Sequence, residues 1–86
     1  SLRKETLNHA QSLNYLASAY HQLGEWQQAE KAIAQSINLL QGLDKLETRG
    51  KLLLAQALNA RGLQQLAKGE TEAALETWKE AEAAYA

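Results

Sequence analysis

Gly24-Glu25-Trp26-Gln27-Gln28-Ala29 returns 45 residues later as Gly69-Glu70-Thr71-Glu72-Ala73-Ala74. Ahead of each copy lies a second matched stretch, Ala10-Gln11-Ser12-Leu13-Asn14 and Ala55-Gln56-Ala57-Leu58-Asn59. Between 10–33 and 55–78, seven of the 24 aligned pairs are identical. An internal repeat fixes the architecture before any single motif does, because each copy must fold as the same supersecondary unit. The repeated glycine falls where a run of helical periodicity stops, the place for a residue that can turn left-handed. Each copy therefore reads as helix, turn, helix.

Outward from the turns, helical spacing extends in both directions. Leu2, Leu13, Leu16, Ala17, Tyr20 and Leu23, with Leu7 and Ala10 filling the earlier turns, keep the three-four rhythm of one buried stripe, and predict a first helix over 2–23. Ala29, Ile33, Ser36, Ile37 and Leu40 predict a second over 26–40. Small residues at Ala29, Ala32 and Ser36 let another helix approach closely. Gly42 reads as the left-handed residue that ends this helix.

Asp44-Lys45-Leu46-Glu47 has the form of a capping box, with Leu43 placed as a hydrophobic staple. It predicts a third helix over 45–68, with Leu46, Leu53, Leu54, Ala57, Leu58, Leu63 and Leu66 as apolar positions. Gly50 inside it costs roughly 1 kcal/mol relative to Ala. The fourth helix, over 71–85, carries Ala74, Leu75, Trp78, Ala81 and Tyr85. Connections of two to four residues make successive helices antiparallel. The chain is all-α, a single domain over 1–86 built of unit one (2–41) and unit two (45–86). Composition agrees: Ala and Leu number 16 each, and Val, Phe and Pro are absent.

A formal net charge of −1 gives no global attraction to nucleic acid or an anionic membrane. Charge is uneven along the chain. Residues 45–68 carry Lys45, Arg49, Lys51, Arg61 and Lys68 against Glu47, whereas 70–86 carry five Glu against Lys79. Two neighbouring helices with complementary edges are expected from this, or a small positive groove. The longest aliphatic run, Leu52 to Ala55, is far short of the roughly 20 residues that span a bilayer. The lack of cysteine excludes disulfides and thiolate chemistry and suits an intracellular, cytoplasmic protein.

The two units resemble the tetratricopeptide repeat, whose signature is Trp-x2-Leu-Gly-x2-Tyr followed by Ala-x3-Phe. Unit one offers Leu13-x2-Leu16-Ala17-x2-Tyr20, Gly24 and Ala29-x3-Ile33; unit two offers Leu58-x2-Arg61-Gly62-x2-Gln65, Gly69 and Ala74-x3-Trp78. Ala17 and Gly62, like Ala29 and Ala74, stand where hairpin helices cross. Arg61 and Gln65 depart from the pattern, a closing Pro is missing, and the period is 45, against 34 in the family. The long period and the Leu13–Tyr20 run are most similar to kinesin-light-chain-like repeats, as also found in bacterial regulatory proteins. The resemblance implies two hairpins stacked as a short right-handed α-solenoid, part of a longer array. It implies a protein–protein interaction scaffold whose first helices line a concave, peptide-binding face.

On that face the resemblance places Gln11, Asn14, Ser18 and His21 in unit one, and Gln56, Asn59 and Leu63 in unit two, with Leu66 beside them. Asn14 and Asn59 occupy equivalent positions. An amide can both donate to and accept from a peptide unit, so they either hold a ligand backbone or bond to neighbouring backbone between stacked helices. No catalytic residue, cofactor or metal site is expected. His9 and His21 stand 12 apart without further ligands, where zinc takes three or four. The alternative reading is a helical regulatory or histidine-phosphotransfer bundle, because His21-Gln22-Leu23-Gly24 resembles a phosphoacceptor helix. Homo-oligomerisation through the last helix would use Leu75, Trp78 and Tyr85.

Overall fold

Four helices account for nearly all of the chain in a computed structural model that describes residues 2–86: α1 (Leu2–Gln22), α2 (Trp26–Gln41), α3 (Thr48–Ala67) and α4 (Thr71–Tyr85). Two three-residue turns make them two hairpins, α1–α2 and α3–α4. The turns are built alike. Gly24 has φ +78° and Gly69 φ +82°. Glu25 N–H donates to Tyr20 C=O at 2.8 Å and Glu70 N–H to Gln65 C=O at 2.9 Å. Those six-to-one bonds, with a glycine in the left-handed region before them, are Schellman motifs. Glu25 and Glu70 then open α2 and α4 with nearly equal dihedrals, −87°/71° and −89°/66°. The second copy, the more divergent in sequence, turns as regularly as the first.

The connection between hairpins differs from the sequence expectation. Residues 42–47 form an irregular six-residue segment, and α3 begins at Thr48. Gly42 is right-handed at φ −77°, and no side chain caps α3. The capping box does not form, and the segment is held by other contacts. The Arg3 guanidinium donates to the Lys45 carbonyl, and Leu46 packs on Gly50, where a Cβ would fall 2.8 Å from Leu46 Cδ2. Gly50 is thus a close approach inside α3.

Packing runs in sequence. α1 lies on α2 and α3 on α4; α3 also meets both helices of the first hairpin, while α4 meets α3 alone. The resulting slab measures 39 × 26 × 15 Å. Its core joins Leu13 and Ala17 of α1, Ala32, Ile33 and Ile37 of α2, and Ala57 and Leu58 of α3; a smaller cluster holds Ala10, Leu40 and Leu53. The α2 stripe is buried as its periodicity predicts. That of α4 is buried in part: Ala74 is buried and Trp78 and Ala81 are half-buried, whereas Leu75 and Tyr85 are 52% and 63% exposed and Thr77 is buried instead. Leu2, Leu16 and Leu23, expected in the α1 stripe, are exposed as well, as are Leu63 and Leu66 of α3.

Three pairs of equivalent positions show how the repeats diverged together. Ala17 and Ile33 become Gly62 and Trp78, and the indole fills the space a Cβ on Gly62 would take, with Cδ1 and Cε2 at 2.8 Å from it. Tyr20 and Ala32 become Gln65 and Thr77, joined by a 2.6 Å hydrogen bond from Thr77 Oγ1 to Gln65 Oε1. Asn14 and Ser36, also bonded, become Asn59 and Ala81. The buried Trp78 Nε1 finds no acceptor among the described residues.

Candidate functional site

Among the described residues, no ion pair joins α3 to α4, although the charge pattern suggests one. Arg49 turns instead to α1, its Nη2 donating to Asn8 Oδ1 at 2.8 Å and Gln11 Oε1 at 2.9 Å. Lys68 turns to α2, 2.8 Å from Glu30. Within α4, Lys79 lies 3.6 Å from Glu76. Arg49 and Lys68 thus face the first hairpin, and Glu72, Glu76, Glu80 and Glu82 of α4 are exposed.

These contacts fix the relation of α1 to α3. The two run side by side in the same direction, Gln11 meeting Arg49 and Asn14 meeting Leu53 one turn further on. Between them opens a cavity of about 310 Å³ walled by Asn14, Tyr15, Ser18 and His21 of α1 and by Gln56, Ala60, Leu63 and Gln64 of α3, with Ala17 and Ile33 at its base. Five of the seven sequence-predicted residues meet here: Asn14, Ser18, His21, Gln56 and Leu63. The lining carries no carboxylate, ammonium or guanidinium group. Its chemistry is amide, hydroxyl, imidazole and hydrocarbon.

Gln11 stands just outside. Its Nε2 donates to the Tyr15 hydroxyl at 3.2 Å while its Oε1 accepts from Arg49. Asn14, half-buried, knits three helices together: Nδ2 donates to Leu53 C=O at 3.1 Å, and Oδ1 accepts from Ser36 Oγ at 2.7 Å. Asn59 does not share this role. With Ala81 in place of Ser36 there is no hydroxyl to meet it, and it is exposed without a hydrogen-bond partner among the described residues. It lies off the cavity.

Sequence reasoning missed Tyr15, Ala60 and Gln64. Tyr15 is 69% exposed, and four residues separate it from Gln11, a spacing that places both on one helix face. That spacing was the available signal. A second cavity of about 400 Å³ adjoins the first through His21 and Gln64 and adds Trp26, Glu30, Ala67 and Lys68. Trp26, 55% exposed, meets the His21 ring edge-on at 4.8 Å and 78°. The hydrogen bond to Glu30 holds the Lys68 ammonium above its usual range, and the charges of Glu30 and Glu70 add to this.

Among the described residues, no group of three His, Cys, Asp or Glu is placed to hold a metal ion, and no helix is long and apolar enough to cross a membrane. No family model, curated protein or solved structure matches the chain.

Proposed function

We propose that the chain is a tetratricopeptide-like scaffold whose hairpins stack as a short right-handed α-solenoid, and that it binds an extended peptide or a segment of a partner protein between α1 and α3. The observation that carries this reading is the lining of the α1–α3 cavity. Neutral amides and hydroxyls on apolar walls suit a peptide backbone, which offers a donor and an acceptor at every residue. Asn14 has one Nδ2 hydrogen and one Oδ1 lone pair left after its internal bonds, so its structural role leaves it able to bind. Two matched turns and one-after-another packing support the solenoid reading.

The same reading assigns no catalytic role. His21 is the one imidazole in the cavity, and the lining holds no carboxylate to orient it. Oligomerisation through α4 would draw on the exposed Leu75 and Tyr85, while Trp78 is half-buried against Gly62.

Selection of peptides from a random display library on the immobilised chain tests the proposal. Enriched peptides are expected to lose affinity on Gln56→Ala and on Leu63→Glu. Both side chains are exposed, so thermal stability should hold. No enrichment, or enriched peptides indifferent to both substitutions, would overturn it.

A further inference from the structure

α3 is apolar on opposite sides. Leu53 and Leu58 are buried against the other helices, whereas Leu52, Leu63 and Leu66 are 41%, 50% and 44% exposed. The exposed leucines are ordered, not scattered. Leu52, Gln56, Asn59, Leu63 and Leu66 follow at spacings of 4, 3, 4 and 3, and all five are exposed. That alternation is the seam of a coiled coil, in which side chains meet a partner helix every 3.5 residues. Arg61, the one charged residue between Leu52 and Leu66, falls on the opposite side of the helix. Ala55 and Gly62 flank the seam on one side, Ala60 and Ala67 on the other. Small flanks allow the close end of the 8–10 Å range of helix separations.

The fold already uses this stripe once. Of its five equivalents on α1, Leu7, Gln11 and Asn14 are half-buried and receive α3 through Arg49 and the Leu53 carbonyl, whereas Ser18 and His21 are exposed. The copy on α3 is bare.

We propose that the α3 seam pairs with the α3 seam of a second copy of this chain, antiparallel and centred on Asn59. The seam is nearly palindromic, with Leu52 seven residues before Asn59 and Leu66 seven after. Antiparallel pairing sets Leu52 against the partner's Leu66, and the unpartnered Asn59 amide against the partner's Asn59, donor to acceptor. A parallel pair would instead align Arg49, three residues before Leu52 on the same seam, with the partner's Arg49. Only neutral oxygens contact that guanidinium, so the alignment is repulsive. The antiparallel contact is isologous, the commonest closed symmetry. One helix pair is smaller than a standard interface of roughly 1,600 Å², so the dimer is a weak one. Gln56 and Leu63 belong to both the seam and the α1–α3 cavity, so dimer and cavity ligand exclude each other. The proposal does not depend on the peptide reading.

Sedimentation equilibrium up to about 1 mM tests it. A monomer–dimer equilibrium is expected, abolished by Leu52→Glu and by Leu63→Glu and kept by Leu75→Glu. Circular dichroism should give unchanged helicity for all three. The chain lacks cysteine, so single cysteines report the geometry. An equimolar mixture of Leu52→Cys and Leu66→Cys should form the mixed disulfide at least tenfold faster than either variant forms its own. A monomer at every concentration, association that survives Leu52→Glu, or faster Leu52→Cys self-coupling would each overturn the proposal. Leu52 lies outside the cavity lining, so a peptide selected on the chain should still bind Leu52→Glu, which separates the two readings.

Discussion

Asn14 on α1 donates a 3.1 Å hydrogen bond to the main-chain carbonyl of Leu53 on α3, and so ties the first hairpin to the second. Its other face accepts from Ser36 on α2. One side chain therefore joins three helices. Asn14→Ala should cost about 1–2 kcal/mol in urea unfolding, because the Leu53 carbonyl and the Ser36 hydroxyl both lose a partner. Asn59→Ala, at the equivalent but exposed position, should stay within about 0.5 kcal/mol of the parent. Equal costs would mean that the repeat uses its asparagines alike, contrary to the geometry.

The Gly62–Trp78 contact makes a second test. Replacing an interior helical Gly by Ala ordinarily gains about 1 kcal/mol. Here the added Cβ would enter the indole ring, and overpacking of this kind costs about 1–3 kcal/mol. Gly62→Ala is expected to destabilise. Trp78→Ile in the same chain recreates the Ala17/Ile33 pair of the first hairpin and should recover most of the loss. A double-mutant cycle should return a coupling of at least about 1 kcal/mol. Additive effects would show that the indole relaxes freely.

The sequence made the hairpins legible and the contacts between them obscure, for physical reasons. Gly24 and Gly69 each end a periodic run, and the left-handed requirement is local, so the turns could be read directly. The α2 stripe was equally local. Asp44–Glu47 was misread because a capping-box pattern describes what four residues can do alone, while Arg3 and Gly50 give that segment competing contacts. The α4 stripe was legible only in part: Ala74, Trp78 and Ala81 turn inward, but Thr77, whose hydroxyl finds Gln65 on another helix, is buried while Leu75 is exposed, and hydropathy does not register such a partner. Five cavity residues were legible because the resemblance sets the first helix of each unit on a shared face, and α1 and α3 do run side by side. Asn59 departs from them because its environment depends on Ala81, 22 residues away.

Gly24→Ala and Gly69→Ala should each destabilise by about 1 kcal/mol. Both positions have open space around an added Cβ, so the cost is dihedral strain alone. With φ values of +78° and +82°, the two losses should match within error in thermal or urea unfolding. A much larger loss at one turn would show that the hairpins differ in a way their matching dihedrals do not record.

Lys68 joins the end of α3 to Glu30 on α2 at the mouth of the second cavity. Its folded pKa lies above the usual 10.5, chiefly through the Glu30 hydrogen bond. A raised pKa means the folded state binds the proton more tightly than the unfolded chain does. The stabilisation is therefore complete below pH 10.5 and disappears as pH rises through the folded value. Lys68→Met keeps most of the hydrocarbon stem and removes the charge. Its urea midpoint should fall slightly below the parent's at neutral pH and converge with it in strong alkali. Added salt should also narrow the gap, since side chains 50% and 38% exposed are screened by solvent and ions. A gap unchanged by both pH and salt would assign the effect to packing of the stem against Ala67 and Gln64, not to the ion pair.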